Sequence, residues 1–174
     1  QPVTTVRWTE TADFCAWLSD RMPAGSGPAG LPTEAEWEWA ARGSDGRKYP
    51  WGDAEPSADR AVFGLDLTKD GPAPVGVRPL GAGPLGAHDQ AGNVWEWCRD
   101  VYAPYVKAAD PEIDFCHDGD NVADDVRVAP RVLRGGSWAY STRNLRCADR
   151  GRHDPRYQSR GLGFRVVSRF APST

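Results

Sequence analysis

Large aromatic side chains and chain-turning residues dominate this sequence: eight Trp, 19 Gly and 15 Pro stand against a single Met. Glycine and proline punctuate helices and strands, whereas a tryptophan needs a broad surface to pack against. Together they exclude a bundle of long helices and predict short elements around aromatic anchors, joined by many turns. Hydrophobic residues at 40% and charged residues at 26% are those of a soluble globular chain rather than a disordered one. No internal repeat or composition break divides residues 1–174, a length that suits one domain with a real core. Gln1 opens without a basic-then-apolar leader, and no apolar run approaches the roughly 20 residues of a membrane-spanning helix.

Helical spacing comes first in "TETADFCAWLSDRM", where Phe14, Cys15, Leu18 and Met22 share one face and Thr9 is placed to cap the start. The Gly/Pro/Ser stretch 23–30 reads as a surface loop. In "LPTEAEWEWAARG", Thr33 and Glu36 have capping-box spacing, Ala35, Trp37, Trp39, Ala40 and Ala41 follow, and Gly43 supplies a stop. "KYPWGD" reads as an extended piece ending in a turn, and residues 54–88 as ordered coil. In "GNVWEWCRDVY", Val94, Glu96 and Cys98 alternate with Trp95, Trp97 and Arg99, the period of a strand. "RVLRGG" and "GFRVVSRF" are further strand candidates, and residues 107–130 form an acidic loop whose "DGDNVADD" lacks the downstream Glu of an EF-hand.

The net charge of −3 is unevenly spread, because residues 131–165 hold nine Arg against Asp149 and Asp154. A nucleic-acid stripe is one reading of that asymmetry. It is disfavoured, because these arginines lack Lys company and alternate with Gly, Asn and Leu as internal hydrogen-bonding arginines do. Cys15, Cys98, Cys116 and Cys147 form no CxxC or Cys/His cluster, so zinc is not expected, and mostly free buried thiols are.

Four stretches in one order, "LPTEAEWEWAARG", "YPWGD", "GNVWEWCRD" and "RVLRGGSW…GFR", resemble the formylglycine-generating enzyme (sulfatase-modifying factor) family. The resemblance covers nearly the whole chain. It implies an α+β, C-type-lectin-like fold, loop-rich, with two helices and small antiparallel sheets, and family domains carry further strands before the element matching "QPVTTVRW". It also implies where a copper oxidase site would lie, on two thiolates just after the glycine-glycine-serine-aromatic turn. Here Tyr140 takes the place of the first, the loop is shorter at the second, and Cys147 matches a structural position. Soft thiolates suit Cu(I), so neither copper nor oxidase activity is expected. The family's disulfide partners for Cys15 and Cys147 read Val166 and Ala41, which leaves Cys98 with Cys116 as the one pair the resemblance allows.

What the motifs retain is framework. Gly135 and Gly136 permit a tight turn, Trp138 buries a ring, and Arg134, Arg146, Arg150 and Arg165 are expected to satisfy loop carbonyls. Where non-catalytic relatives carry Asn, this chain has Ala139, Tyr140, Ser141, Asp149, Gly151, His153, Asp154, Tyr157, Ser159, Arg160 and Gly161. That layout resembles the variable proteins of diversity-generating retroelements, which mutate template adenines. An Asn codon altered only at its adenines reaches all of these residue types. Tyr with Ser, Gly, Asp and His also makes an adaptable recognition surface. The expectation is therefore a protein that binds a protein or other macromolecular ligand through residues 139–161 within the 131–165 segment. Two other readings stand beside it, an enzyme of altered chemistry and an ordinary non-catalytic paralogue. His88, His117 and His153 are scattered, and His153 beside Asp154 is a contact candidate rather than a catalytic dyad.

The resemblance further implies one calcium site, with the side chains of Asp89 and Glu96 and the backbone carbonyls of Gly92 and Val94 as ligands. The competing reading is that Glu96 pairs with a nearby arginine. A second site around residues 61–71 lacks matching carboxylates.

Overall fold

The computed structural model describes residues 1–105 and 128–169. Two helices, α1 (Trp8–Ser19) and α2 (Glu34–Arg42), accompany six short strands: β1 (Ala29–Gly30), β2 (Trp95–Val101), β3 (Arg131–Arg134), β4 (Gly151–His153), β5 (Leu162–Phe164) and β6 (Val167–Ser168). No described helix is long and apolar enough to cross a membrane. The expected acidic loop lies almost wholly outside the described residues, as do Cys116 and His117.

Helix α2 forms as its sequence predicts. The Thr33 side chain accepts a hydrogen bond from the Glu36 N–H at 3.1 Å, and the Glu36 carboxylate accepts one from the Thr33 N–H at 2.8 Å. Gly43 follows with φ +64°, and its N–H closes the last turn on the Trp39 carbonyl. The helix buries Glu34, Trp37 and Ala41 and leaves Trp39 outside. Helix α1 departs from expectation at both ends of the argument. Thr9 sits inside the first turn, and the cap position is Arg7, whose N–H donates to the Glu10 carboxylate at 2.7 Å. Thr11 and Cys15 are the residues it buries, while Phe14 is 42% exposed and leans edge-on against Phe164. A contact through one narrow ridge leaves the rest of an apolar face outside.

The main sheet has the order β4-β3-β2-β5. Its β2–β3 and β3–β4 pairs are antiparallel, with an irregular step between Trp97 and Val101, but β2 and β5 run parallel. The sheet is thus mixed rather than antiparallel throughout. β1 and β6 form a separate antiparallel ribbon.

Strand β2 is central and covered on both faces. Trp95 and Trp97 pack with Cys15, Leu31, Leu133 and Leu162, whereas Cys98 packs with Trp37, Ala41, Val132 and Cys147. The alternation seen in the sequence therefore does not separate core from solvent, and two carboxylates on the strand, Glu96 and Asp100, are buried and must find partners.

Candidate ligand-binding face

The turn that opens the Arg-rich segment is fixed by sterics. Gly135 and Gly136 have φ of +96° and +76°, and a Cβ on Gly136 would come within 2.7 Å of the Asn144 carbonyl oxygen. Arg134, just before it, is 0% exposed. It donates to the carbonyls of Asp149 (2.9 Å) and Cys147 (2.8 Å) and to the Glu38 carboxylate. A guanidinium here satisfies irregular backbone that no sheet neighbour reaches. Arg150 donates to both carboxylate oxygens of Glu34 and to the Ala103 carbonyl. Arg165 likewise takes both oxygens of Glu96 and the His88 carbonyl. Arg146 is the exception among the expected framework arginines: its side chain is 44% exposed and holds Asp149 and the Arg143 carbonyl at the surface.

None of the eleven positions expected to be free is buried. Tyr140 and Tyr157 are 48% and 41% exposed. The Tyr140 ring stands edge-on against Trp95, with centroids 5.7 Å apart. His153 and Tyr157 stack at 3.4 Å and 9°, and the His153 Nδ1 accepts a hydrogen bond from the Asp154 N–H at 3.1 Å. Burial lowers the His153 pKa, with Asp154 opposing the shift. Asp154 holds Arg156 through two side-chain bonds, which keep its carboxyl well below the usual range. Arg160 is exposed and donates to the Asp70 carbonyl at 2.9 Å. Ser141 is exposed, and Ala139 and Ser159 are half-buried.

Three of the eleven are tied into the framework instead. The Asp149 carbonyl serves Arg134, and its carboxylate accepts from Asn144 (3.0 Å) and Arg146 (3.2 Å). Gly151 pairs with Leu133 across the sheet, and a Cβ there would press on Leu133 at 3.2 Å and the Trp95 ring at 3.3 Å. At Gly161 a Cβ would lie 3.1 Å from Ser137 Oγ. Nothing local in the sequence reveals these neighbours, because Trp95 is 56 residues from Gly151.

Of the expected calcium ligands, Asp89, Val94 and Glu96 line a cavity of about 330 Å³, shared with Val75, His88, Phe164 and Arg165 among others, and Gly92 does not. Glu96 reaches it with both oxygens engaged: Arg165 donates at 2.5 and 2.6 Å, and the Trp37 indole N–H at 2.6 Å. Asp89 accepts the Gly76 N–H at 2.7 Å. A hard cation needs several unclaimed oxygens, and here a guanidinium already matches the charge of Glu96. This arrangement of donors does not fit calcium unless Arg165 withdraws. Among the described residues no group of three or more His, Cys, Asp and Glu is placed to hold a metal ion.

The Tyr140 carbonyl accepts the Gly64 N–H. Cys147 lies in the core beside Ala41, with its thiol pushed up to about 12 by burial. Cys15 and Cys98 are also buried free thiols raised by burial, and the suggested partner of Cys98 lies outside the described residues.

Comparison with known proteins accords with this architecture. The family model described as "Sulfatase-modifying factor enzyme 1-like domain" matches residues 1–170. The formylglycine-generating enzyme of Streptomyces coelicolor is 37% identical over 96% of this chain, which spans 52% of that relative. The structure of PvdO from Pseudomonas aeruginosa aligns with a TM-score of 0.77 at 24% identity, over 98% of this chain and 62% of that one. Treponema denticola variable protein 1 aligns with a TM-score of 0.70 at 26% identity, over 95% of this chain and 70% of that one. The chain spans about half the length, or less, of the curated relatives it matches. Its α+β architecture, its two helices with small sheets and the match across almost its full length place the chain in the sulfatase-modifying factor enzyme 1-like family.

Proposed function

We propose that this domain is a ligand-binding module that displays Ala139, Tyr140, Ser141, His153, Asp154, Tyr157, Ser159 and Arg160 to a protein or other macromolecular partner. The observation that carries this reading is a division in space within one segment: Arg134 and Arg150 are turned inward onto carboxylates and carbonyls, while the tyrosines between and after them are turned outward. Inward arginines hold the loop without help from the residues at its surface, so those residues are free to vary. Rigid aromatic area beside small polar groups is the composition of an adaptable recognition surface. Similarity to a Treponema protein named as variable supports the same reading.

The test is a chimera in which the eight residues are exchanged together for others of the set Ala, Ser, Tyr, Asp, Gly, His and Arg, with Trp138, Arg134, Arg150, Phe164 and Arg165 kept. The chimeras are expected to melt cooperatively near the parent temperature. A displayed library of them is expected to yield binders to an arbitrary test protein. Loss of cooperative melting in most of them overturns the reading. A near-copy of the coding region with extra adenines, beside a reverse transcriptase, would identify the source of variation.

The similarity to a formylglycine-generating enzyme favours one second reading, an enzyme of altered chemistry. Oxygen consumption above a copper-only control with a cysteine-containing sulfatase peptide would establish it.

A further inference from the structure

We infer that the cavity beside Glu96 and Arg165 binds a small organic cation, a primary ammonium group on an apolar body, with Asp89 as its anionic anchor. The cavity measures about 330 Å³, within the roughly 300–1,000 Å³ of small-molecule sites. Pro2, Val75, Val94 and Phe164 give it apolar walls, and Asp89 stands among them. Apolar walls around a few placed polar groups are the composition such sites share. None of these residues belongs to the 139–161 segment, so the site does not depend on the function proposed above.

Pairing decides the charge. Arg165 donates to both oxygens of Glu96 and to the His88 carbonyl, so the two side chains largely cancel one another. Asp89 has no such counterpart. Among the described residues its carboxylate makes no ion pair, and its one hydrogen bond is accepted from the Gly76 N–H at 2.7 Å. That leaves one carboxylate oxygen unclaimed at a half-buried position, where a charge is screened less than on open surface.

The walls are fixed before any ligand arrives. Asp89 and Asn93 have φ of +59° and +60°, left-handed backbone of the kind that concentrates at ligand clamps. Each accepts from the 73–76 stretch, Asp89 from the Gly76 N–H and Asn93 Oδ1 from the Ala73 N–H at 2.9 Å. The stretch that carries Val75 is thereby fastened on both sides of it, which lowers the cost of ordering a site around a ligand. The donor accounting that disfavours calcium admits an organic cation. Calcium takes about six to eight oxygens, whereas an ammonium needs one anionic acceptor and can lay its carbon body against Val75, Val94 and Phe164. An anion would be repelled by Asp89, and a neutral apolar molecule would desolvate that carboxylate without compensation.

The experiment follows the Gly76 amide resonance of ¹⁵N-labelled protein during titration with phenethylammonium at constant ionic strength. A saturable shift is expected. 2-Phenylethanol, the neutral counterpart, and ammonium chloride, the cation without its body, are each expected to bind about tenfold or more weakly, and phenylacetate not at all. Asp89→Asn keeps an acceptor for the Gly76 N–H and is expected to weaken phenethylammonium about tenfold, to the level of the alcohol. Val75→Trp, at a position 63% exposed, is expected to block entry without threatening the fold, and so tests the site even if Asp89→Asn misfolds. Tighter binding of Nα-acetyl-lysinamide than of phenethylammonium would support the site and assign the cation to a lysine side chain; the reverse would support it and assign a free amine. No saturable response to phenethylammonium, or one unchanged in both variants, overturns the inference. Equal binding of the alcohol overturns the assignment of a cation, and equal binding of ammonium overturns the need for an apolar body.

Discussion

Arg150 grips Glu34 through two parallel hydrogen bonds of 2.5 and 2.6 Å, joining the Arg-rich segment to the first turn of α2 across 116 residues of chain. Both side chains are largely buried, at 13% and 9% exposure, and the Tyr105 hydroxyl also donates to Glu34. Removing Arg150 leaves the Glu34 carboxylate with the Arg134 guanidinium at 3.4 Å but without its two charge-assisted bonds. Arg150→Ala is therefore expected to destabilise the domain by about 1–3 kcal/mol in denaturant melts. Arg150→Lys should recover little of this, because an ammonium cannot reproduce the two-bond fork.

Arg146→Ala is the matching control. Its partner Asp149 is also held by Asn144, and the Arg146 side chain is exposed. The expected loss is below about 0.5 kcal/mol by the same melts, as for other surface pairs.

Gly151→Asn separates coding freedom from steric freedom. A new Cβ must displace Leu133 or the Trp95 ring by a few tenths of an ångström in a packed region. Overpacking of this kind costs about 1–3 kcal/mol. Tyr157→Ala, four residues beyond the end of β4, should change stability by no more than about 0.5 kcal/mol. Equal effects of the two substitutions would place Gly151 on the free surface after all.

The His153–Tyr157 stack should be pH-sensitive. The fold lowers the His153 pKa below its ordinary value of 6.5 through burial, so the folded state resists protonation. Below that ordinary value the unfolded chain binds the proton more readily, and stability should fall as pH drops from about 6.5 through the folded-state midpoint. Above it the contribution is complete and flat. An NMR titration should give a His153 midpoint below 6.5, and His153→Asn should remove this component of the pH dependence.

Calcium should leave the melting temperature of chelator-treated protein unchanged while Arg165 holds Glu96. A ligand selective for the native state at 100 times its dissociation constant would add about 2.7 kcal/mol, an effect easily seen in a thermal melt. Such a rise, lost in Glu96→Ala, would show that Arg165 withdraws and that Asp89, Gly92, Val94 and Glu96 act as ligands.

Local chemistry was readable where its partners are near in sequence. Thr33 and Glu36 find each other within one helical turn, and the glycine-glycine turn needs only its own φ angles. Strand β4 was not readable, because three residues acquire strand geometry only by pairing with β3. The ribbon of β1 with β6 was hidden for the same reason, since Ala29 pairs with Ser168 from inside a Gly/Pro loop. At the candidate face, the tyrosines and His153 were visible as a recognition composition. The framework duties of Asp149, Gly151 and Gly161 were not, because they are imposed by Arg134, Trp95 and Ser137, which sequence spacing does not connect to them. Arg146 failed in the opposite sense: its pattern matches that of Arg150, but no buried carboxylate waits beside it.

The first residues of the chain are stitched to its far end, with the Thr5 N–H shared between the carbonyls of Ser159 and Leu162 and the Trp8 N–H donated to that of Pro155. Joining ends so distant carries a large loop-closure entropy before any contact rewards it, so the two ends are expected to meet late in folding. Contacts made after the transition state govern how fast a protein unfolds and leave its folding rate almost untouched. Replacing the residues on residues 153–161 should then change the lifetime of the folded state while every version still reaches that state at a similar speed. A surface that closes last can be rewritten without obstructing the route by which the rest of the chain folds.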